Sequence, residues 1–396
     1  MLGISDRANN LGESVTIKMA RIAGELKEQG KDIISLSLGE PDFNVPEIVK
    51  NAAKKAIDDN HSHYTPVPGY KDLLKAIQAK FKRDNDLNYD LDQIVVSTGA
   101  KHSLMNVLLS TVNPGDEVIL PAPYWVSYIE MAKFCEGTPV VINTSIETDF
   151  KITPDQLEKA LSSKTKLFLF SNPCNPSGSV YTHDELAELV KVFEKSECYI
   201  VSDEIYEYIN FEGKTPSLAN FASIRDRVIT VNGMSKGYSM TGWRIGYIGA
   251  PKAVAKACAK IQGQFTSGAN AVAQMASITA LNDAADDVES MRKVFLKRRD
   301  LFLEKLSEIK ELKLNKPTGA FYLFPDVSNY FGKSYEGRTI NGVGDLCEFI
   351  LEDSLVATTP GDAFGCPNNV RLSYANSEEQ LIEAAKRIKE SLAKLK

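Results

Sequence analysis

Histidine is scarce in this chain, and the four present, at 61, 63, 102 and 183, form no set that would hold a metal or activate a nucleophile. His61 and His63 stand two apart beside Tyr64, while His102 and His183 lie outside any nucleophile motif, so zinc and Ser-His-Asp chemistry are set aside. The six cysteines (135, 174, 198, 258, 347, 366) are scattered and contain no C-x-x-C pair, which points to reduced thiols rather than a disulfide framework. No apolar run reaches the length of a membrane span, and the first twenty residues lack the basic start and apolar core of a secretory signal. Positive charge is not in excess. A formal net charge of −6 argues against a nucleic-acid partner, although it leaves room for a locally cationic pocket. Neither G-x-x-x-x-G-K-S/T nor G-x-G-x-x-G occurs, which argues against a nucleotide ligand. The expectation is a soluble cytoplasmic protein with no membrane partner.

What remains is an ordinary globular composition, 43% hydrophobic and 25% charged, in a chain of 396 residues that exceeds the usual size of one core. Helical spacing of apolar positions runs from Val15 to Leu26, and a short strand is expected over Ile33–Leu36. Further helices are expected from Pro46 to Asp58 and from Leu73 to Phe81. Strand-like runs then follow at IVVS, EVIL, TPVVI, KLFLF, CYIVS and VITV, with helical segments between them. This rhythm predicts an α/β fold, a large layer with a mostly parallel sheet whose ligands sit at the carboxyl ends of strands. After about Asp283 a long charged helix and the short strands AFYLF and VRLSY suggest a smaller α/β domain. The division expected is residues 1–45 as an arm and part of the small domain, 46–283 as the large domain, and 284–396 as the rest of the small one.

Candidate chemistry sits at the strand ends. Asn175 follows KLFLF, Asp203 follows CYIVS with Tyr206 three residues on, and Lys236 lies just past VITV with Arg244 eight further. An amine, a carboxylate, hydroxyl and amide donors and a cation are what pyridoxal 5′-phosphate needs to be held as a Schiff base. Lys236 supplies the primary amine, and the glycines at 233, 237 and 242 suit a backbone that approaches a bound group closely. Asp203 at a strand end is a common helix cap, yet beside a pyridine nitrogen it would keep that nitrogen protonated. Tyr206 and Asn175 suit the ring 3-hydroxyl, although NPCNPSG is also rich in turn residues. Ser235 and Arg244 are candidate phosphate ligands. So is the turn at Gly99 in STGAKHSL, where a helix start offers free amides. Trp125 can lie flat on a heterocycle or fill a core. Arg371, on a predicted strand, has the fork geometry for a carboxylate.

Taken in order, GEPDF (39–43), HYTPVPG (63–69), STGAK (97–101), PYWVSY (123–128), NPCNPSG (172–178), SDEIYE (202–207), GMSKGYSMTGWRIGY (233–247) and RLSYANSEE (371–379) resemble the class I aminotransferases of the aspartate aminotransferase type, nearly end to end. The resemblance implies a fold-type-I homodimer that uses pyridoxal phosphate. It assigns Lys236 the Schiff base, Asp203 the pyridine nitrogen, Asn175 and Tyr206 the 3-hydroxyl, and Trp125 the ring face. Phosphate falls to Ser235, Arg244 and the turn Gly99, Ala100 and Lys101, helped by Tyr64 from the other subunit. The α-carboxylate falls to Arg371, near the backbone of Gly39.

Two departures matter. Cys174 stands where the family commonly has a polar residue or asparagine, which would put a thiol near the cofactor. In place of an arginine for the distal carboxylate, 262–270 reads QGQFTSGAN and holds none. A similar subgroup uses a lysine and a threonine, matching Lys101 and Thr16, which keeps an acidic substrate open.

The resulting expectation is a ping-pong transaminase. L-Aspartate donates its amino group and 2-oxoglutarate accepts it, with amino acids and 2-oxo acids as the small-molecule partners. Alternatives on the same fold are aromatic, alanine or arogenate/prephenate-type donors, or β-elimination. A non-catalytic binding protein is disfavoured by the presence of Lys236.

Overall fold

Strands that are apolar at every position must be covered on both faces, as in a sheet flanked by helices. The computed structural model describes residues 3–12 and 15–396, with backbone alone at 15–18 and 20. A two-residue strand β1 (Ile34–Ser35) comes first. The predicted runs then appear as β2 (Ile94–Ser97), β3 (Glu117–Pro121), β4 (Thr138–Ile142), β5 (Thr165–Ser171), β6 (Tyr199–Asp203) and β7 (Val228–Gly233). β7 is buried at all six positions, whereas β4, at the sheet edge, is largely open. An additional strand, β8 (Gly246–Gly249), completes one seven-stranded sheet in the order β2-β8-β7-β6-β5-β3-β4. All neighbours are parallel except β8, which runs antiparallel to β2 and β7.

The sequence pattern does not reveal β8, because GYIG begins and ends with a poor strand former. Both glycines are there for contact. A Cβ at Gly246 would strike the backbone of Gly99 and Ala100, and one at Gly249 would strike the Tyr89 ring. β8 therefore lets the start of the helix Ala100–Thr111 lie against the sheet, at the edge where the other candidate residues gather.

Helices form where the apolar spacing predicts them, at Val15–Glu28, Glu47–Asp58 and Lys71–Asn85. Two cores share the sheet: one contains Phe81, Phe168, Met234 and Tyr247, the other Leu104, Leu120, Val201 and Val231. A further core gathers Ile34, Leu36, Phe295, Phe302, Phe321 and Tyr374 around a small antiparallel sheet of Thr359–Pro360, Val370–Ser373 and β9 (Tyr322–Leu323). β1 pairs in parallel with Val356–Ala357, which joins the beginning of the chain to its end. The long helix Ala285–Ser307 passes between them, placing Val288 and Met291 in the first core and Phe295 and Phe302 in this last one. No helix among the described residues is long and apolar enough to cross a membrane.

Candidate active site

Parallel strands that end on one edge bring their following residues together. Ser171, Asp203 and Val231 are register partners across β5, β6 and β7, so Asn175, Asp203 and Lys236 leave the sheet side by side. They face a cavity of about 600 Å³. Its walls include Gly39, Ala100, Lys101, Trp125, Asn175, Asp203, Tyr206, Ser235, Lys236, Arg244 and Arg371.

Lys236 Nζ donates to the carbonyl of Gly39 and lies 5.6 Å from the Tyr206 ring centre. Burial pushes its amine down to about 8. Glu40 opposes the shift, the cations Arg371 and Arg244 add to it, and Asp203 opposes it further. The neutral, nucleophilic form is thereby within reach near neutral pH. Asp203 is almost fully buried and accepts from Tyr128 Oη at 2.6 Å and from Ile205 N at 3.2 Å. Burial nevertheless pushes its carboxyl up to about 6, outweighing both hydrogen bonds and Lys236. No cation among the described residues forms an ion pair with this carboxylate, and a pyridinium nitrogen would provide one.

The phosphate-binding candidates cluster at the helix start. Gly99 has φ 84° and precedes Ala100–Thr111 without a side-chain cap, leaving the first amides of that helix free to bind an anion. A Cβ at Gly99 would run into the Arg244 guanidinium, so only glycine lets that cation sit over the turn. Arg244 itself has φ 58° and donates from Nη1 to the Thr241 carbonyl at 2.9 Å. Lys101 has its Nζ 4.8 Å from the Trp125 ring centre and no hydrogen bond or ion pair among the described residues. Burial and then Arg244 push its amine down.

Arg371 is only 2% exposed, and no carboxylate among the described residues pairs with it. Its Nη1 donates to Asn175 Oδ1 at 3.1 Å and its Nη2 to the Ser37 carbonyl at 2.7 Å, while Nε has no acceptor. A buried guanidinium so placed is costly unless an anion arrives. The cavity thus brings a lysine, a carboxylate and a cation without an ion-pair partner into one enclosure.

Tyr64 is not in this cavity. It is 98% exposed and lines a separate hollow with His61, His63, Gly268 and Asn270. The side chain of Thr16 lies outside the described residues. Cys174 turns away, its Sγ directed at the Pro123 carbonyl at 3.4 Å, and it lines a second small hollow with Tyr124 and Tyr128. Burial raises its thiol, so it is no reactive thiolate. Sequence reasoning passed over Tyr128, Tyr322, Glu40 and Thr241, all on the cavity wall. Tyr128 carried a signal, standing three residues after Trp125 in PYWVSY, at helical spacing. Tyr322 carried none, because AFYLF reads as a plain core strand.

The family model described as aminotransferase class I and II matches residues 31–388. A Rickettsia bellii protein named probable aspartate/prephenate aminotransferase is 45% identical, covering 99% of each chain. The aspartate aminotransferase structure from Rhizobium meliloti is 40% identical over the full length of both chains, with a TM-score of 0.96. The one from Thermus thermophilus, solved with maleate, is 38% identical, covering 99% of this chain and all of that one, with a TM-score of 0.94. With these likenesses the α/β architecture is the fold-type-I arrangement that the motifs imply.

Proposed function

The chain belongs to the aminotransferase class I and II family and is a transaminase, and we propose that it carries pyridoxal 5′-phosphate on Lys236 and moves the amino group of L-aspartate to 2-oxoglutarate. The observation that carries this reading is the uncompensated Arg371 facing the same cavity as Lys236 and Asp203. The residues fit the cofactor. The poorly solvated Asp203 suits its ring nitrogen, Tyr206 and Asn175 its 3-hydroxyl, and the Trp125 ring its face. Ser235, Arg244 and the turn Gly99, Ala100 and Lys101 suit its phosphate. When bound, the cofactor supplies an aldehyde for the amine and a ring that stores the electron pair left at the substrate α-carbon.

The chain's own groups do the rest. Arg371 takes the substrate α-carboxylate in its fork and orients the α-hydrogen. With the cofactor bound, Lys236 would be the group that takes the substrate α-proton at Nζ as base and gives a proton back as acid. Asp203 keeps the ring nitrogen protonated. The oxo acid departs, and a second oxo acid runs the path backwards, giving ping-pong kinetics.

Lys101 is the cation we assign to a distal carboxylate, and Thr16 is the hydroxyl we assign to the same group. Relatives named for aspartate support the acidic donor. A second reading, an aromatic or prephenate-type 2-oxo acid, is favoured by Leu38, Leu104, Trp125 and Ile205 on the cavity wall and by the Rickettsia bellii protein's name.

We further propose a cytoplasmic homodimer in which Tyr64 completes the partner's phosphate site. The bare Tyr64, Ile57 and Phe265 support the dimer, and six unpaired cysteines support a reducing compartment. The division into 1–45, 46–283 and 284–396 is likewise our proposal, supported by the helix Ala285–Ser307 changing cores along its length. A single-turnover panel of amino acids tests the reaction. Aspartate should bleach the bound cofactor band fastest and leave oxaloacetate with a stable amine form. Pyruvate and ammonia without that form would replace the transaminase by a β-lyase.

A further inference from the structure

We infer that Tyr322 is a positioning residue that ties the carboxylate clamp Arg371 to the hydroxyl of Tyr206, so that arrival of a substrate carboxylate is felt at the cofactor ring. The inference rests on the proposed pyridoxal phosphate chemistry and concerns how its two halves communicate. Tyr322 is fully buried, and its hydroxyl lies 2.8 Å from that of Tyr206, the group assigned to the ring 3-hydroxyl. Its ring centre lies 4.6 Å from the Arg371 guanidinium, whose other aromatic neighbour is Phe364 at 5.0 Å. The same phenol crowds Gly39, the residue whose carbonyl accepts from Lys236, because a Cβ there would come within 3.0 Å of Tyr322 Oη. One side chain therefore touches the clamp, the ring-hydroxyl ligand and the backbone that holds the lysine.

The direction of the coupling follows from charge. Burial raises the Tyr322 phenol, and the Arg371 cation and the bond with Tyr206 hold it down, while Glu40 raises it. A carboxylate bound by Arg371 neutralises the cation against the Tyr322 ring, weakening its hydroxyl as a donor and strengthening it as an acceptor. The Tyr206 hydroxyl on the far side of that bond is then drawn toward Tyr322. Its grip on the ring hydroxyl changes without any group having moved far.

The test uses the loaded enzyme and a dicarboxylate that cannot react, maleate, with the absorbance of the cofactor attached to Lys236 as readout. Tyr322→Phe keeps the ring against Arg371 and removes only the hydroxyl. It should bind maleate within about twofold of wild type, because the ring contact persists. Its absorbance titration midpoint should differ from wild type by about half to one pH unit, the size expected for one lost hydrogen bond. The change in midpoint that maleate produces should fall to less than half. Tyr322→Leu removes the ring as well and should weaken maleate by about tenfold. A Tyr322→Phe enzyme that titrates and answers maleate as wild type does overturns the inference and leaves the proposed function standing. Wild-type protein that takes up no cofactor on Lys236 overturns both.

Discussion

Asp203 and Lys236 are both held away from their ordinary charge behaviour by burial, and each makes a different demand of the bound ligand. Asp203 is raised to about 6 from an unfolded value near 3.8, so the folded chain holds its proton more tightly than the unfolded one. Stability from this group is complete below about pH 3.8 and is lost as pH rises through about 6, amounting to about 3 kcal/mol for a shift of about two units. Cofactor-free Asp203→Asn should accordingly lose less stability than wild type between pH 4 and 7.5, as read by urea denaturation at each pH. Equal slopes for the two proteins would mean that Asp203 is not strained. Lys101 makes the second prediction at this scale. Its ammonium lies against Trp125 without an anion, and a hydrogen bond to a charged group is worth about 1.5–3 kcal/mol. Lys101→Ala should therefore lower the ratio of kcat/KM for aspartate over phenylalanine by roughly ten- to a hundredfold. An unchanged ratio would remove Lys101 from the substrate site and leave the aromatic reading in the stronger position.

Elements fix where these side chains stand, and β8 shows how. Its glycines are what allow β2, β7 and the start of the helix Ala100–Thr111 to meet at one edge. Gly246→Ala puts a methyl group into the backbone of Gly99 and Ala100. It should cost about 1–3 kcal/mol of stability by overpacking and loosen the cofactor phosphate more than it lowers the melting temperature of the cofactor-free protein. Thermal denaturation with and without pyridoxal phosphate separates the two effects, and an unchanged holo-minus-apo difference would detach this turn from phosphate binding. The same element shows what was legible in the sequence. Apolar runs foretold six of the seven strands of the large sheet, most plainly where burial on both faces leaves a mark in composition, as in β7, and least at the largely open edge strand β4. β8 left no such mark, since its residues were chosen for closeness to another backbone. Lys236, Asp203, Asn175 and Arg371, ordinary one at a time, were legible as residues of one cavity through their order, spacing and flanking strands. Tyr322 and Tyr128 were not, because a tyrosine in a core strand or helix looks the same whether or not its hydroxyl reaches the cavity. Glu40 was quoted only as part of a turn, and nothing in GEPDF says that its carboxylate faces an amine across the fold.

On the scale of the whole molecule, Tyr64 decides how many chains a working site needs. It belongs to the motif HYTPVPG yet stands almost wholly in solvent, away from the cavity it is assigned to. In the proposed homodimer a second copy would resolve that mismatch. Mixing Tyr64→Phe with Lys236→Ala chains should restore activity through hybrid sites that carry neither change, and sedimentation should show a dimer. A fully active monomer would contradict the arrangement. Every role assigned above nevertheless converges on one amine among the 34 lysines. The most direct measurement is borohydride reduction of the yellow protein followed by peptide mass mapping. One pyridoxyl phosphate adduct per chain is expected, on the peptide containing Lys236, and none in Lys236→Ala. An adduct on any other lysine, or none in the wild type, would contradict it.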